Sequence, residues 1–325
     1  MLLIFQRWTK LLAWLLLSTV SALSLAVENN PRLLLDKMVY GFSELNYQGT
    51  FNFQRPGSIE TLRIAHAVID GDKYERLEFL NGGKRQIIRH GHKLDFIYPG
   101  HQLVHSYQSQ PNANSSAHPA NKLDQYYRFK VSGMDRVAGR SVINLIVRPR
   151  DTHRFGYRLS LDKASGLLLR SELIGSKGQV LERFQFVDIT LNPELSKEHF
   201  TAGARRYQPQ QEAPVSPAPA TIAEDKSWKV QWLPSGFSLT KPDRHAAGED
   251  DRVTFTDGMT VFSVFFERSA KVNPLHAAEG HAQKGATTAY SRVILHSDQF
   301  HRVTVVGEIP TKTAQRIARS TVLVR

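Results

Sequence analysis

A chain of 325 residues is long enough to bury two ordinary cores. It contains no cysteine, which excludes disulfides, thiol catalysis, thiolate metal sites and an acylated N-terminal Cys. A formal net charge of +12 points to anionic partners: lipid headgroups, lipopolysaccharide phosphates or acidic protein segments.

Residues 1–26 have the form of a secretory signal peptide. Arg7 and Lys10 precede the apolar run Leu11 to Leu17, and Ser24-Leu25-Ala26 offers small residues before a cut after Ala26. The run is shorter than the roughly 20 residues that span a bilayer, so cleavage and export are expected rather than anchoring. Nothing later is long and apolar enough to span, so a soluble mature protein is expected. Removal of Arg7 and Lys10 leaves it at +10. Export, and the lack of a dense Lys/Arg tract, disfavour nucleic acid as the anion.

Asn29-Asn30-Pro31 offers a cap followed by Pro in the first turn, where a missing N–H costs nothing. Leu34, Leu35, Met38, Val39, Phe42 and Leu45 recur at helical spacing, which predicts an amphipathic helix over 31–45. Its apolar stripe needs the following sheet to lie on. Gly49 to Phe53 puts Phe51 and Phe53 on one face of a strand; Leu62, Ile64 and Val68 alternate in the next, which ends at Asp70-Gly71-Asp72. Leu77 and Phe79 follow, Asn81-Gly82-Gly83 closes a hairpin, and Ile87-Ile88 and Leu94-Asp95-Phe96 continue the meander past a His90-Gly91-His92 turn. Residues 108–121, rich in Ser, Asn, Pro and Ala, read as a loop, and Tyr127, Phe129 and Val131 open another strand.

The stretch 136–189 is the most strongly patterned in the chain. Tyr157, Leu159 and Leu161 fall on one face and Arg158, Ser160 and Asp162 on the other, the alternation of a sheet with one buried and one wet side. Asp162 to Gly166 is a hairpin loop; Leu167, Leu169 and Leu173 return, Gly175 to Gly178 reverses again, and Phe184 and Phe186 sit two apart on the last strand. Gln208 to Thr221 carries Pro209, Pro214, Pro217 and Pro219 and reads as an extended linker. The expected division is a signal peptide at 1–26, a first domain at 27–207, a linker at 208–225 and a second α+β domain at 226–325.

In the second domain Trp228, Val230 and Trp232 alternate and Pro234-Ser235-Gly236 makes a turn. Arg252 to Glu267 reads as a hairpin with an Asp257-Gly258 corner, and Val293 to His296 with Val303 to Val306 as a second. Ala314, Ile317 and Ala318 opposite Lys312, Arg316 and Arg319 predict a closing helix.

Catalytic signals are missing: there is no nucleophile elbow, Walker loop or dinucleotide fingerprint. His101 and His105 in HQLVH lack the Glu of a metalloprotease and would lie roughly 13 Å apart on a strand. His90 and His92 read as solvated turn residues. No enzyme, cofactor or metal site is expected. Arg148, Arg150 and Arg154 around Pro149 and Asp151 form the most conspicuous basic cluster. They serve either as a contact for phosphate or an acidic partner, or as a turn in which Asp151 pairs with a neighbouring Arg.

RVAGR (136–140), RPRDTHRFGYRLSLDKASGLLLRSELI (148–174) and GQVLERFQF (178–186), followed by LPSGF, FSVFFE, GATTAYSR and TVVGEIP in the last third, resemble the RseB/MucB family of envelope-stress sigma-factor regulators. The resemblance covers nearly all of the mature chain. It implies an α+β fold whose first domain is LolA-like, a curved antiparallel sheet forming an unclosed barrel around a helix. Phe51, Phe53, Leu62, Ile64, Phe79, Phe96, Leu159, Leu161, Phe184 and Phe186 would then line an acyl-chain cavity, or else form plain core. The resemblance further implies a periplasmic protein that binds the periplasmic segment of a membrane-spanning anti-sigma factor and shields it from regulated proteolysis. Lipopolysaccharide or its lipid A part would release it; self-association is left open. The alternative is a periplasmic lipid or lipoprotein carrier, which would not need residues 228–325.

Overall fold

The computed structural model describes residues 30–91, 123–201, 228–240, 251–269, 279–296 and 299–323. The expectations for the signal peptide, the 108–121 loop, the linker, His92, Phe96, His101 and His105 fall outside the described residues. Among the described residues no helix is long and apolar enough to cross a membrane.

Helix α1 spans Pro31–Glu44, and the Oδ1 of Asn30 accepts from the Arg32 N–H at 3.0 Å, satisfying one of the orphan donors of the first turn. Leu34, Leu35, Met38 and Phe42 form the buried stripe. It lies on a nine-stranded antiparallel sheet of order β4-β3-β2-β1-β9-β8-β7-β6-β5. The strands are β1 (Tyr47–Arg55), β2 (Ser58–Ile69), β3 (Asp72–Phe79), β4 (Arg85–His90), β5 (Tyr127–Val137), β6 (Arg140–Pro149), β7 (Gly156–Asp162), β8 (Leu168–Ile174) and β9 (Val180–Leu191). A short helix α2 (Leu123–Tyr126) leads into β5. Two meanders, β1 to β4 and β5 to β9, are joined by the β1–β9 pairing, where Phe51 faces Phe186 and Phe53 faces Phe184. β4 and β5 remain as separate edges, so the sheet is unclosed.

Two contacts fix α1 on the sheet. A Cβ at Gly41 would meet the Leu167 backbone at 3.1 Å, and one at Gly166 would meet the Cβ of Lys37 at 2.7 Å. Gly166 also has a φ of +79°, and helix and hairpin come this close because Gly41 on one and Gly166 on the other carry no side chain.

The polar face of β7 is wet only at Arg158. Ser160 and Asp162 are buried, which corrects the simple alternation expected there. Arg140 forks onto Asp162 through Nε at 2.7 Å and Nη2 at 3.1 Å, and Arg170 donates to Ser160 Oγ at 3.1 Å. Their long stems cover what a short side chain would leave exposed. A register shift at Ser160/Leu161 also buries Leu167, Leu168 and Leu169 together instead of alternately.

The second unit is a six-stranded antiparallel sheet, order β11-β12-β13-β16-β15-β14, with a two-stranded β10–β17 sheet. Its strands are β10 (Trp228–Val230), β11 (Ser238–Leu239), β12 (Asp251–Thr256), β13 (Val261–Ser269), β14 (Gly280–Lys284), β15 (Thr287–His296), β16 (Gln299–Gly307) and β17 (Thr321–Leu323). Helix α3 (Thr311–Ser320) packs Ala314, Ile317 and Ala318 into its core. Three details differ from expectation. The β12–β13 connection is a four-residue loop, 257–260, because Thr256 pairs with Val261. α3 does not close the chain, since β17 follows it and pairs with β10. Strand β14 pairs with β15 although it has no apolar alternation to announce it.

His66 on β2 is fully buried, stacked on Tyr47 at 5.0 Å. The carbonyl of Leu45 lies 2.9 Å from its Nδ1 and can only accept, so Nδ1 carries the proton of a neutral ring. Burial lowers its pKa to about 4. The unfolded state therefore binds a proton that the fold refuses, and stability falls as pH drops from about 6.5 towards 4, by on the order of 3 kcal/mol. Urea unfolding across this window should show that loss, and His66→Gln should flatten it.

Candidate functional site

In the loop between β6 and β7, Asp151 Oδ1 accepts from the His153 N–H at 2.9 Å and so folds the chain back on itself. Its other oxygen pairs with Arg154 Nη2 at 2.9 Å. The turn aims Arg154 into the interior, where its side chain has no exposed surface. There Nη1 donates to Asp257 Oδ2 at 2.7 Å and Nη2 to the Ser235 carbonyl at 2.6 Å, both on the second unit. The rings of Tyr126 and Phe237, each 5.0 Å from the guanidinium carbon, enclose it.

Asp257 is equally buried. Its Oδ1 caps the four-residue loop by accepting from Met259 N at 2.9 Å and Thr260 N at 2.8 Å. Tyr127 donates its hydroxyl to Oδ2 at 2.8 Å, and Tyr157 donates to the Met259 carbonyl at 3.2 Å. Burial pushes the Asp257 carboxyl up, while Arg154, the two amides and the Tyr127 hydroxyl pull it back. Met259 at this loop and Ala286 at the β14–β15 turn belong to the core of the first unit. The two sheets thus share core as well as an ion pair. The sequence signal for Asp257 was an Asp-Gly pair, which local reasoning assigns to a turn; its role as a counter-ion depends on a residue 103 positions away.

Beside this clamp lies a cleft of about 600 Å³. Arg32 of α1, Arg128 of β5 and Arg150 line it together with Leu35, Leu123 and Phe129. Arg32 pairs with Asp124 at 3.3 Å. Arg150 is anchored by its Nε to the carbonyls of Asp124 (2.9 Å) and Tyr127 (3.2 Å), leaving its terminal nitrogens without a partner among the described residues. Arg128 stands directly opposite Arg148 across β5 and β6, both exposed and neither with a carboxylate partner among the described residues. Like charges in that position repel, and a bound anion removes the repulsion. The three arginines of the sequence cluster therefore separate: Arg154 into the clamp, Arg150 onto the cleft, Arg148 onto the strand beside it. Arg32 and Arg128 were not singled out from sequence, because α1 and β5 meet only in the fold.

Of the ten candidate cavity residues, Phe51, Leu62, Ile64, Leu159, Leu161, Phe184 and Phe186 are at most 2% exposed, and Phe53 is 8% exposed. Phe51, Phe184 and Phe186 pack ring to ring at 4.8 to 5.8 Å. Phe79 is half-buried at the rim, with the Arg85 guanidinium 4.0 Å over its ring. Phe96 lies outside the described residues. The nine described side chains belong to one core, and none of the nine lines the arginine cleft. Among the described residues no cluster of His, Asp and Glu could hold a metal ion.

Residues 30–204 match the model of the MucB/RseB N-terminal domain and residues 222–322 that of the MucB/RseB C-terminal domain. The chain is 35% identical to the sigma factor AlgU regulatory protein MucB of Pseudomonas aeruginosa, covering 97% of each. It is 28% identical to the sigma-E factor regulatory protein RseB of Haemophilus influenzae, covering 96% of each. Among solved structures, MucB in complex with MucA(peri) aligns at a TM-score of 0.68 with 32% identity, covering 91% of this chain and all of that one.

Removing one member of a buried ion pair strands the other, at a cost of about 3–5 kcal/mol. Asp257→Ala should lose that much in urea unfolding and split a single transition into two, as the units come apart. Arg154→Leu combined with Asp257→Leu should recover part of the loss, which a double-mutant cycle would read directly.

Proposed function

The chain belongs to the MucB/RseB family, and on that premise we propose that it is an exported regulator that holds the periplasmic segment of a membrane-spanning anti-sigma factor. The observation that carries this reading is the match, along 91% of the chain, to MucB in complex with MucA(peri). The bound segment is kept from regulated proteolysis, and lipopolysaccharide releases it.

The arginine cleft is the contact we assign to the partner or its competitor. Arg32, Arg128 and Arg150 supply charge, and Leu35, Leu123 and Phe129 supply an apolar wall, which suits an acidic segment with a hydrophobic residue beside it. Lipid phosphates compete for the same guanidinium groups, which is how one surface serves both holding and release. The shared core between the units supports a regulator that presents both to one partner, and the mutual packing of Phe51, Phe184 and Phe186 favours it over a carrier of acyl chains.

Arg128→Glu separates binding from folding. Opposite charges across β5 and β6 replace like ones, so stability should stay level or rise by about 0.2–1 kcal/mol. Binding of residues 27–325 to the periplasmic segment of the host's anti-sigma factor should weaken at least tenfold, measured by calorimetry with and without lipopolysaccharide. Unchanged binding would remove the cleft from the interface. No binding by the parent protein, with lipid co-purifying instead, would favour the carrier.

A further inference from the structure

Strand β5 is an edge of the nine-stranded sheet, and its first half borders the arginine cleft. In an antiparallel ladder the facing residues alternate between pairs that exchange both backbone bonds and pairs that exchange none. The Arg150 N–H donates to the Tyr126 carbonyl at 2.8 Å, which makes 126 and 150 a bonded pair. Counting on in twos along the register, Arg128 with Arg148 and Lys130 with Ile146 are bonded pairs as well. Tyr127, Phe129 and Val131 therefore turn their N–H and C=O groups away from β6, towards the edge. The Tyr127 carbonyl fits this phase, since it accepts from Arg150 Nε at 3.2 Å, outside the ladder. Among the described residues no group bonds to the backbone of Phe129 or Val131 from the edge side.

The edge is interrupted by a bulge: the register shifts between Val131 and Gly133, and Gly133 takes a φ of +117°. A bulge twists the strand and keeps an added ladder from running on. The straight stretch that remains, 127–131, carries exposed Arg128 and Lys130 on one face and half-buried Phe129 and Val131 on the other.

We propose that the partner binds here as an added strand: a short extended segment pairs with β5 over 127–131 through the outward backbone groups of Phe129 and Val131. This rests on the assignment of the arginine cleft to an acidic segment of the partner, and adds how that segment is held. Guest side chains alternate as those of β5 do. One set lies beside Arg128 and Lys130 and is acidic; an acid there also relieves the repulsion between Arg128 and Arg148. The other set lies beside Phe129 and Val131 and is apolar, extending the core against which those two pack. The strand runs into the cleft, where Arg150 and Arg32 take a further acid of the same segment. Main-chain bonds supply affinity, and the alternation of acidic and apolar residues supplies selection.

Amide exchange reads the added bonds directly. In residues 27–325 saturated with the periplasmic segment of the host's anti-sigma factor, exchange at the Phe129 and Val131 amides should slow by about tenfold or more. The Arg128 and Lys130 amides, already bonded to β6, should change far less. Val131→Pro removes one outward donor, leaves every charge in place and takes nothing from the β5–β6 ladder, as proline on an edge allows. It should keep the parent's circular dichroism spectrum and bind the segment about tenfold more weakly. Unprotected Phe129 and Val131 amides in the saturated complex would overturn the added strand, whatever Val131→Pro does. If Arg128→Glu still weakens binding in that case, the cleft stands and only the strand falls; if it does not, both fall. Protection that appears without the segment and grows with protein concentration would give the edge to a second copy of the chain and overturn the proposal.

Discussion

The arrangement of the molecule turns on one buried ion pair, Arg154 with Asp257, whose side chains have no exposed surface. Taking both charges out of water is expensive, and only a complete set of partners makes it tolerable. Arg154 has Asp151, Asp257 and the Ser235 carbonyl; Asp257 has two loop amides, Arg154 and the Tyr127 hydroxyl. Three of these bonds, Arg154 to Asp257, Arg154 to the Ser235 carbonyl and Tyr127 to Asp257, cross between the units and require them in one relative placement. A slip by a few ångströms would leave each charge in a low-dielectric interior with only its own loop to answer it. Arginine is the residue for this task because its planar fork reaches several acceptors at once and stacks between aromatic rings.

The clamp and the arginine cleft share Tyr127 and the β6–β7 loop. The loop that aims Arg154 inward begins with Arg150, whose N–H donates to the Tyr126 carbonyl at 2.8 Å and whose Nε holds the Asp124 and Tyr127 carbonyls. Tyr127 belongs to both features, lining the cleft and donating to Asp257. The charged surface and the seam between the units are thus parts of one connected structure. The repulsion between Arg128 and Arg148 is a local cost in stability that an anion would offset.

The interior holds more ionisable groups than a core needs for packing. His66 is kept neutral by burial, and Glu308 is kept protonated by burial first and by Glu182 second. Protonation is refused at one site and ionisation at the other. Through His66 stability falls as pH drops from about 6.5 towards 4, and through Glu308 it falls as pH rises from about 4.5 towards 8.

Much of the fold was legible along the chain because the signals are local. The stripe Leu34, Leu35, Met38 and Phe42 repeats at the helical period, and Phe51, Phe53, Leu159, Leu161, Phe184 and Phe186 alternate at the period of a strand, so the helix, the meander and its buried face follow from side-chain spacing alone. The basic cluster at 148–154 was equally plain, as were the motifs that tie the chain to its family. Spacing does not say where a charge will go. Arg148, Arg150 and Arg154 have the same chemistry, and their three different fates depend on Asp151 bending the loop and on Asp257, Arg128 and Asp124 arriving from distant elements. The burial of Ser160 and Asp162, the four-residue loop at 257–260 and the closure of the Gly285–Ala286 turn over Glu182 have the same origin. Each depends on long-range packing that brings a covering side chain, a partner or a second sheet to a position whose neighbours in sequence do not encode it.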